Sequence, residues 1–392
     1  MARLGDVCKI YTGTGFPNQY QGETSGDYPF YKVGDISRNV SKGNVYLQEC
    51  DNYISADTAK KIKGTIVPID TVVFAKIGEA VKLNRRAITS QNCLVDNNAM
   101  GICPDQQKLN LSYFFHYMCS IKLEAYAEAT TVPSVKKSVI ENIDIPLPTY
   151  AEQVAISEVI DKVSSLISLR KQQLAKLDEL VKARFVELFG DMLLNPRGWS
   201  ETRLDTIADI VSGITKGRKV KTSDLMEVPY MAVSNVKDGY IDWTTVKTIM
   251  ATQAEIEQYR LLPYDVLMTE GGDPDKLGRG AIIHEPPENC IHQNHIFRVR
   301  LDQTQIIPEF MEQYLKQQKA KRYFLGCAKQ TTGIASINMT QLKALPVLIP
   351  PIELQNEYKL FAEQTDKSKL AIQQSLDKLE TLKKSLMQKY FG

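Results

Sequence analysis

The stretch Pro148-Thr149-Tyr150-Ala151-Glu152-Gln153 opens a run that reaches Phe189 without a glycine or a further proline, and Pro350-Pro351-Ile352-Glu353-Leu354-Gln355 opens a second. In the first run the apolar residues Ile160, Val163, Ile167, Leu174, Leu177, Val181 and Leu188 recur at spacings of three and four, the signature of an amphipathic helix with a coiled-coil seam. Arg170 and Arg184 interrupt that seam. The second run answers with Phe361, Ile372, Leu376, Leu379, Leu386 and Tyr390. Helices of about 38 residues extend about 57 Å at ~1.5 Å per residue. Without a globular partner of their own, the two are expected to bury their stripes against each other, antiparallel.

Working outward, the rest of the chain also occurs twice. Arg3-Leu4 returns as Arg203-Leu204, and Tyr28-Pro29-Phe30-Tyr31-Lys32-Val33 aligns with Val228-Pro229-Tyr230-Met231-Ala232-Val233. Lys82-Leu83-Asn84-Arg85-Arg86-Ala87-Ile88 matches Lys276-Leu277-Gly278-Arg279-Gly280-Ala281-Ile282, and Lys176-Leu177-Asp178-Glu179-Leu180 matches Lys378-Leu379-Glu380-Thr381-Leu382. The offset drifts between matches, as it does when two copies of one architecture carry loops of unequal length. Phe189-Gly190 corresponds to Phe391-Gly392.

Ahead of each helical run lie short β-rich segments, such as Thr71-Val72-Val73-Phe74 and Ile296-Phe297-Arg298-Val299, punctuated by Gly, Pro, Asn and Asp turns. One further helix is expected in each copy, over Tyr113–Ala129 and Pro308–Gly326. The predicted fold class is α+β: two domains in tandem duplication, separated by two long antiparallel helices forming a coiled coil, with pseudo-twofold symmetry. The expected boundaries are 1–150 for the first domain, 151–190 for its spacer helix, 191–352 for the second domain with its entry linker, and 353–392 for the second helix.

Composition narrows the function classes. With 392 residues, 43% hydrophobic and 24% charged, the chain fits neither a disordered nor a collagen-like class. Its longest nearly apolar stretch, Leu345–Ile352, falls well short of the ~18 residues of a membrane helix. Met1–Ile10 has no apolar signal core, so a cytoplasmic location is expected. Seven scattered cysteines form no Cys-x-x-Cys pair, which speaks against a disulfide framework or a zinc ribbon. A net charge of +2 requires any polyanion binding to come from local patches.

Catalytic signatures fail in turn. No Gly-Lys dipeptide occurs, hence no Walker A loop, and Gly13-Thr14-Gly15 reads as a plain turn. Glu285-Pro286-Pro287-Glu288 lacks both ends of an adenine-methyltransferase motif, and neither Pro104-Asp105 nor Pro274-Asp275 leads to a nuclease-type acid-x-Lys triplet. Cys290, His292 and His295, with His284 nearby, do not match a structural zinc spacing, and no metal is expected.

Binding candidates remain. Lys76, Lys82, Asn84, Arg85 and Arg86 gather in one stretch of the first copy, and Lys216, Arg218, Lys219, Lys221, Lys276 and Arg279 in loops of the second. Lys and Arg beside Gly and Asn suit phosphate contact and base readout, while a solvated surface suits the same residues. His292, Gln293, Asn294 and His295 concentrate groups able to read base edges; a polar surface strand accounts for them equally. The recurring Lys-Leu-x-Arg segment fits either a shared DNA contact or a shared fold contact.

The order of domains and helices, with Leu4-Gly5-Asp6-Val7, the segment from Glu270-Gly271-Gly272-Asp273 to Gly280, Ile145-Pro146-Leu147-Pro148 before Glu152-Gln153, and Ile349-Pro350-Pro351 before Leu354-Gln355, resembles the specificity subunit of type I restriction-modification enzymes. That resemblance covers nearly the whole chain. It implies a non-catalytic DNA-binding subunit whose two target-recognition domains each read half of a bipartite, asymmetric site on double-stranded DNA. It further implies that the helices set the gap and dock two methyltransferase subunits, which carry S-adenosylmethionine, and that motor and nuclease subunits join the larger complex. No cofactor is expected on this chain. A protein-protein scaffold with two binding domains on a helical hairpin is the alternative. One departure is visible: Lys76-Ile77-Gly78-Glu79-Ala80 stands where the second copy has its Gly-Gly-Asp loop, so the equivalence of the two loops is open.

Overall fold

Thr149 starts the first long helix with a reciprocal capping box, its backbone N–H donating to Glu152 Oε2 (2.9 Å) while Glu152 N–H donates to Thr149 Oγ1 (3.4 Å). The helix then runs unbroken over Tyr150–Phe189 and stops at Gly190, whose φ of 78° is a left-handed conformation suited to glycine. Pro350 and Pro351 introduce the second, Ile352–Phe391, of the same length. The computed structural model describes residues 1–128, 132–218, 224–273, 277–331 and 334–392.

Clustering of contacts divides the chain into two units, residues 1–173 with 372–392, and residues 174–371. Each is α+β, and each contains a segment of both long helices. In the first unit the strands Cys8–Thr12, Ala99–Pro104, Val72–Ala75 and Arg86–Ile88 lie side by side in that order, all antiparallel. Tyr28–Tyr31 stands between Tyr53–Ile54 and a parallel partner, Leu94–Val95. The second unit repeats both sheets, as Ala208–Ser212, Ile296–Leu301, Val266–Thr269 and Gly280–Ile282, and as Lys247–Ala251, Met226–Met231 and the parallel Ile291–His292. It adds a small sheet of Gly271–Gly272, Ile334–Ser336 and Lys329–Thr331.

The further helix expected in each copy is shorter than the periodicity predicts. Leu111–Ser120 ends before an extended Ile121, and a short 3-10 turn, Leu123–Tyr126, follows. Asn84 explains the break: its Nδ2 donates to Ile121 O (3.1 Å) and its Oδ1 accepts from Leu123 N–H (3.2 Å), taking groups the helical ladder would need. Pro308–Leu315 and Gln318–Cys327 are likewise two helices, parted at an extended Gln317 whose side chain bonds to Gln313 O (3.2 Å).

Two buried glutamines tie each long helix to its own domain. Gln153 Oε1 accepts from Asn110 N–H (2.8 Å) and its Nε2 donates to Lys108 O and Pro148 O. Gln355 repeats this with Ile307 N–H (3.0 Å), Gln305 O and Pro350 O. A buried tyrosine on the shorter helix adds a second tie: Tyr117 hydroxyl donates to Asp144 O, and Tyr314 hydroxyl to Pro346 O, both at 2.7 Å.

Within the first unit Lys171 pairs with Glu380 (2.8 Å), while Ile156 and Phe391 both pack on the α+β core, so the helix segments run antiparallel. Within the second, Asp178 pairs with Lys369 and Arg184 with Glu357, again antiparallel. Ion pairs thus join the two helix segments within each unit, and apolar residues of both helices also enter the domain cores. Phe185 and Phe189 enter the core of the second unit, Phe185 stacking on Phe310, Phe189 meeting it edge-on, and both edge-on to Tyr358. Phe391 packs on Tyr113 and Tyr117 in the first, with ring centroids 5.2 and 5.9 Å away. Each domain is therefore closed by a phenylalanine from the other copy's helix.

Candidate nucleic-acid interface

In the first unit four segments are bound to one another at the ends of the strands. Thr14 N–H donates to Val95 O (2.9 Å) and Gly13 N–H to Ala99 O (3.3 Å). A Cβ at Gly13 would sit 1.7 Å from Asp96 O, so no other residue fits and the glycine is more than the plain turn its sequence suggests. Beside it, Lys76 N–H donates to Asn98 O (2.8 Å), Val135 N–H to Lys76 O (2.8 Å) and Gly78 N–H to Pro133 O (2.8 Å).

The second unit builds the same frame from different side chains. A Cβ at Gly213 would lie 2.0 Å from His292 O, and Ile214 N–H donates to that carbonyl (2.9 Å). Glu270 N–H donates to His295 O (3.0 Å) and Ile337 N–H to Glu270 O (2.9 Å), the bonds that Lys76 makes with Asn98 and Val135. The Lys76 loop and the Gly-Gly-Asp loop thus occupy equivalent places, which the sequences alone left open. Among the described residues nothing lies within 4 Å of where a Cβ would stand on Gly78 or Gly272.

The candidate residues separate sharply. Lys76 is half-buried and makes no ion pair among the described residues, Lys82 is exposed and paired with Glu79 (2.9 Å), and Arg85 is half-buried. Asn84, at φ 54°, is the helix-ending clamp described above. Arg86 is 3% exposed and donates to Ile121 O and Asn84 O, and burial pulls its guanidinium down to about 10. In the first copy, then, the side chains of Asn84 and Arg86 make fold contacts.

In the second copy Lys216 is exposed, while Arg218 is held by a two-point bond to Glu255 and a bond to Met250 O. That guanidinium draws the Glu255 carboxyl down to about 2. Lys219, Lys221 and Lys276 lie outside the described residues. Arg279 is half-buried in a cavity of about 300 Å³ with Glu312, Lys316 and Lys321.

His292 is a correction to the expected base-reading set. It is fully buried, with Nδ1 3.0 Å from Tyr259 O and Nε2 3.3 Å from Val211 O. Two facing carbonyls favour the charged ring, yet burial dominates and pushes its pKa down to about 4. It braces the strand and reaches no ligand. Gln293 is half-buried and caps Val233 N–H (3.4 Å), the task Asp96 performs for Val33 N–H (3.3 Å). Asn294 is half-buried, and its carbonyl accepts from Ser212 Oγ (2.6 Å). His295 is exposed and bonded through Nδ1 to Glu270.

Sequence reasoning missed Gly13, Asn98 and Glu270. Gly13 had a visible signal in its match to Gly213 at the offset of the Arg3-Leu4 repeat, whereas Glu270 and Asn98 differ from their counterparts and recur in no alignment. Among the described residues no group of three His, Cys, Asp or Glu is placed to hold a metal ion, and no helix is long and apolar enough to cross a membrane.

Comparison with known proteins places this architecture. The family model for the type I restriction modification DNA specificity domain matches residues 1–179 and again 196–384. The EcoBI specificity subunit of Escherichia coli is 22% identical over 421 aligned positions, covering 99% of this chain and 84% of the relative. The MjaX specificity subunit of Methanocaldococcus jannaschii is 27% identical over 50% of this chain, and the EcoKI subunit of Escherichia coli 21% over 69%. The chain spans 46% and 61% of the length of those two relatives. In fold it is similar to the S subunit of a type I restriction-modification system from M. genitalium, with a TM-score of 0.59 at 15% identity, covering 100% of this chain and 95% of that one.

Proposed function

The chain belongs to the type I restriction modification DNA specificity family, and from that membership we propose that it is the sequence-reading subunit of a type I restriction-modification complex. It carries no catalysis of its own. Each α+β domain reads one half of a bipartite, asymmetric site on double-stranded DNA. The long helices fix the gap between halves and dock two methyltransferase subunits, which supply S-adenosylmethionine and methylate adenine. Motor and nuclease subunits join them in the larger complex.

The observation that carries the reading is the loop frame built twice on matched backbone bonds with unmatched side chains, Lys76 and Asn98 against Glu270 and His295. A frame held constant while its exposed groups change suits two readers of different sequence.

Methylome sequencing of cells expressing this chain with a cognate methyltransferase subunit tests the proposal. The expected result is one bipartite motif with two different halves and a fixed gap; absence of any motif overturns it. Inserting four residues into each long helix, about 5.4 Å of rise, should widen the gap by one or two base pairs and leave both halves unchanged. DNA binding by the complex should weaken steeply with added salt, whereas a protein scaffold would show no such dependence.

A further inference from the structure

Resting on that DNA-reading function, we propose that Lys76 with Asn98 in the first domain, and Glu270 with His295 in the second, are the matched specificity-determining positions, with opposite hydrogen-bonding character. The backbone makes them equivalent: Lys76 N–H bonds to Asn98 O as Glu270 N–H bonds to His295 O. Lys76 and Glu270 follow the third-ordered strand of their four-stranded sheets, Asn98 and His295 immediately precede the second, and each pair lies near a glycine, Gly78 or Gly272, with nothing among the described residues within 4 Å of where its Cβ would stand. Asn98 and His295 are exposed, and Lys76 and Glu270 are partly so.

The chemistry of the two pairs differs in sign. A lysine ammonium only donates, which suits the O6 and N7 acceptors of guanine. Glu270 is an acceptor, and its bond with Nδ1 of His295 requires that nitrogen to carry the proton. In the tautomer protonated only at Nδ1, Nε2 is an acceptor beside the second carboxylate oxygen. Two acceptors side by side select an exocyclic amino group, N4 of cytosine or N6 of adenine. Because the frame is shared, the difference lies in the bases preferred and not in how the domains sit on the duplex. Lys82, Asn84, Arg86 and Arg218 are committed to protein partners.

The test uses the complex assembled with methyltransferase subunits and a panel of duplexes in which each base pair of the two half-sites is replaced in turn. Lys76→Ala should lose about tenfold discrimination at one guanine-containing pair of the first half-site and leave the second untouched. Glu270→Ala with His295→Ala should do the same at one pair of the second half-site presenting an amino group. Lys76→Met, which keeps the apolar stem, serves if the alanine variant does not assemble. Unchanged discrimination at every position, or an equal loss of affinity for every duplex, overturns the inference. A parent complex that distinguishes no base pair overturns instead the function on which it rests.

Discussion

The first and second domains carry the same strand order, the same buried glutamine beneath the long helix, the same tyrosine tie and the same glycine pressed onto a neighbouring carbonyl. They part company in what fills equivalent places. Val95 in the first domain is His292 in the second, Lys76 is Glu270, and Asp96 is Gln293. Where a group satisfies backbone atoms, a substitute must satisfy the same atoms, as Asp96 and Gln293 both do for a helix N-terminus. Where it faces solvent, nothing in the fold resists a reversal of charge. The comparison thus separates what holds the domain from what the domain displays.

The largest expected effect probes the closing phenylalanines. Phe189 is fully buried against Phe310 and Tyr358, so Phe189→Ala should cost the second unit about 3–5 kcal/mol. Phe391 is only partly buried, and Phe391→Ala should cost the first unit less. Urea denaturation of the two variants measures both; equal losses would mean the domains are closed more alike than their burial indicates.

His292 should make the second domain acid-sensitive. Folded, its pKa lies near about 4; unfolded, it titrates at the ordinary 6.5. The unfolded chain therefore takes the proton first. The contribution is fully present above pH 6.5 and is lost as pH falls toward 4, by roughly 3 kcal/mol. His292→Val, which installs the first domain's residue, should flatten that slope while costing some stability at neutral pH. A slope that persists in the variant would assign the acid sensitivity elsewhere.

A smaller, symmetric effect is expected at the glutamines. Gln153→Leu and Gln355→Leu each strand one buried N–H and two carbonyls, at about 1–3 kcal/mol apiece, read as similar falls in Tm. The smallest belongs to the exposed Lys171 and Glu380 pair, where Lys171→Ala should change stability by less than about 1 kcal/mol and should be insensitive to added salt once made.

Much of the architecture is legible in the sequence because periodicity and punctuation are local. Tyr150–Phe189 is bounded by Thr149, Glu152 and Gly190, and the expected limits agree with the structure to a residue. The readers are less legible. Lys-Leu-x-Arg recurs in different settings in the two copies: its third residue, Asn84, grips Ile121 in the first, while its arginine, Arg279, lines a cavity in the second. His292 beside His295 looks like one polar cluster, yet strand geometry sends one inward and leaves the other at the rim. Those distinctions depend on partners far away along the chain, which no window of sequence contains.

Phe391 finishing a core that begins at Leu4 has a bearing on biosynthesis. A ribosome must translate the entire second copy before the first can seal its hydrophobic wall, so the nascent amino-terminal half waits, incompletely closed, for a residue synthesised long afterwards. Truncated products should consequently be prime substrates for chaperones and proteases, and only full-length protein should escape that surveillance.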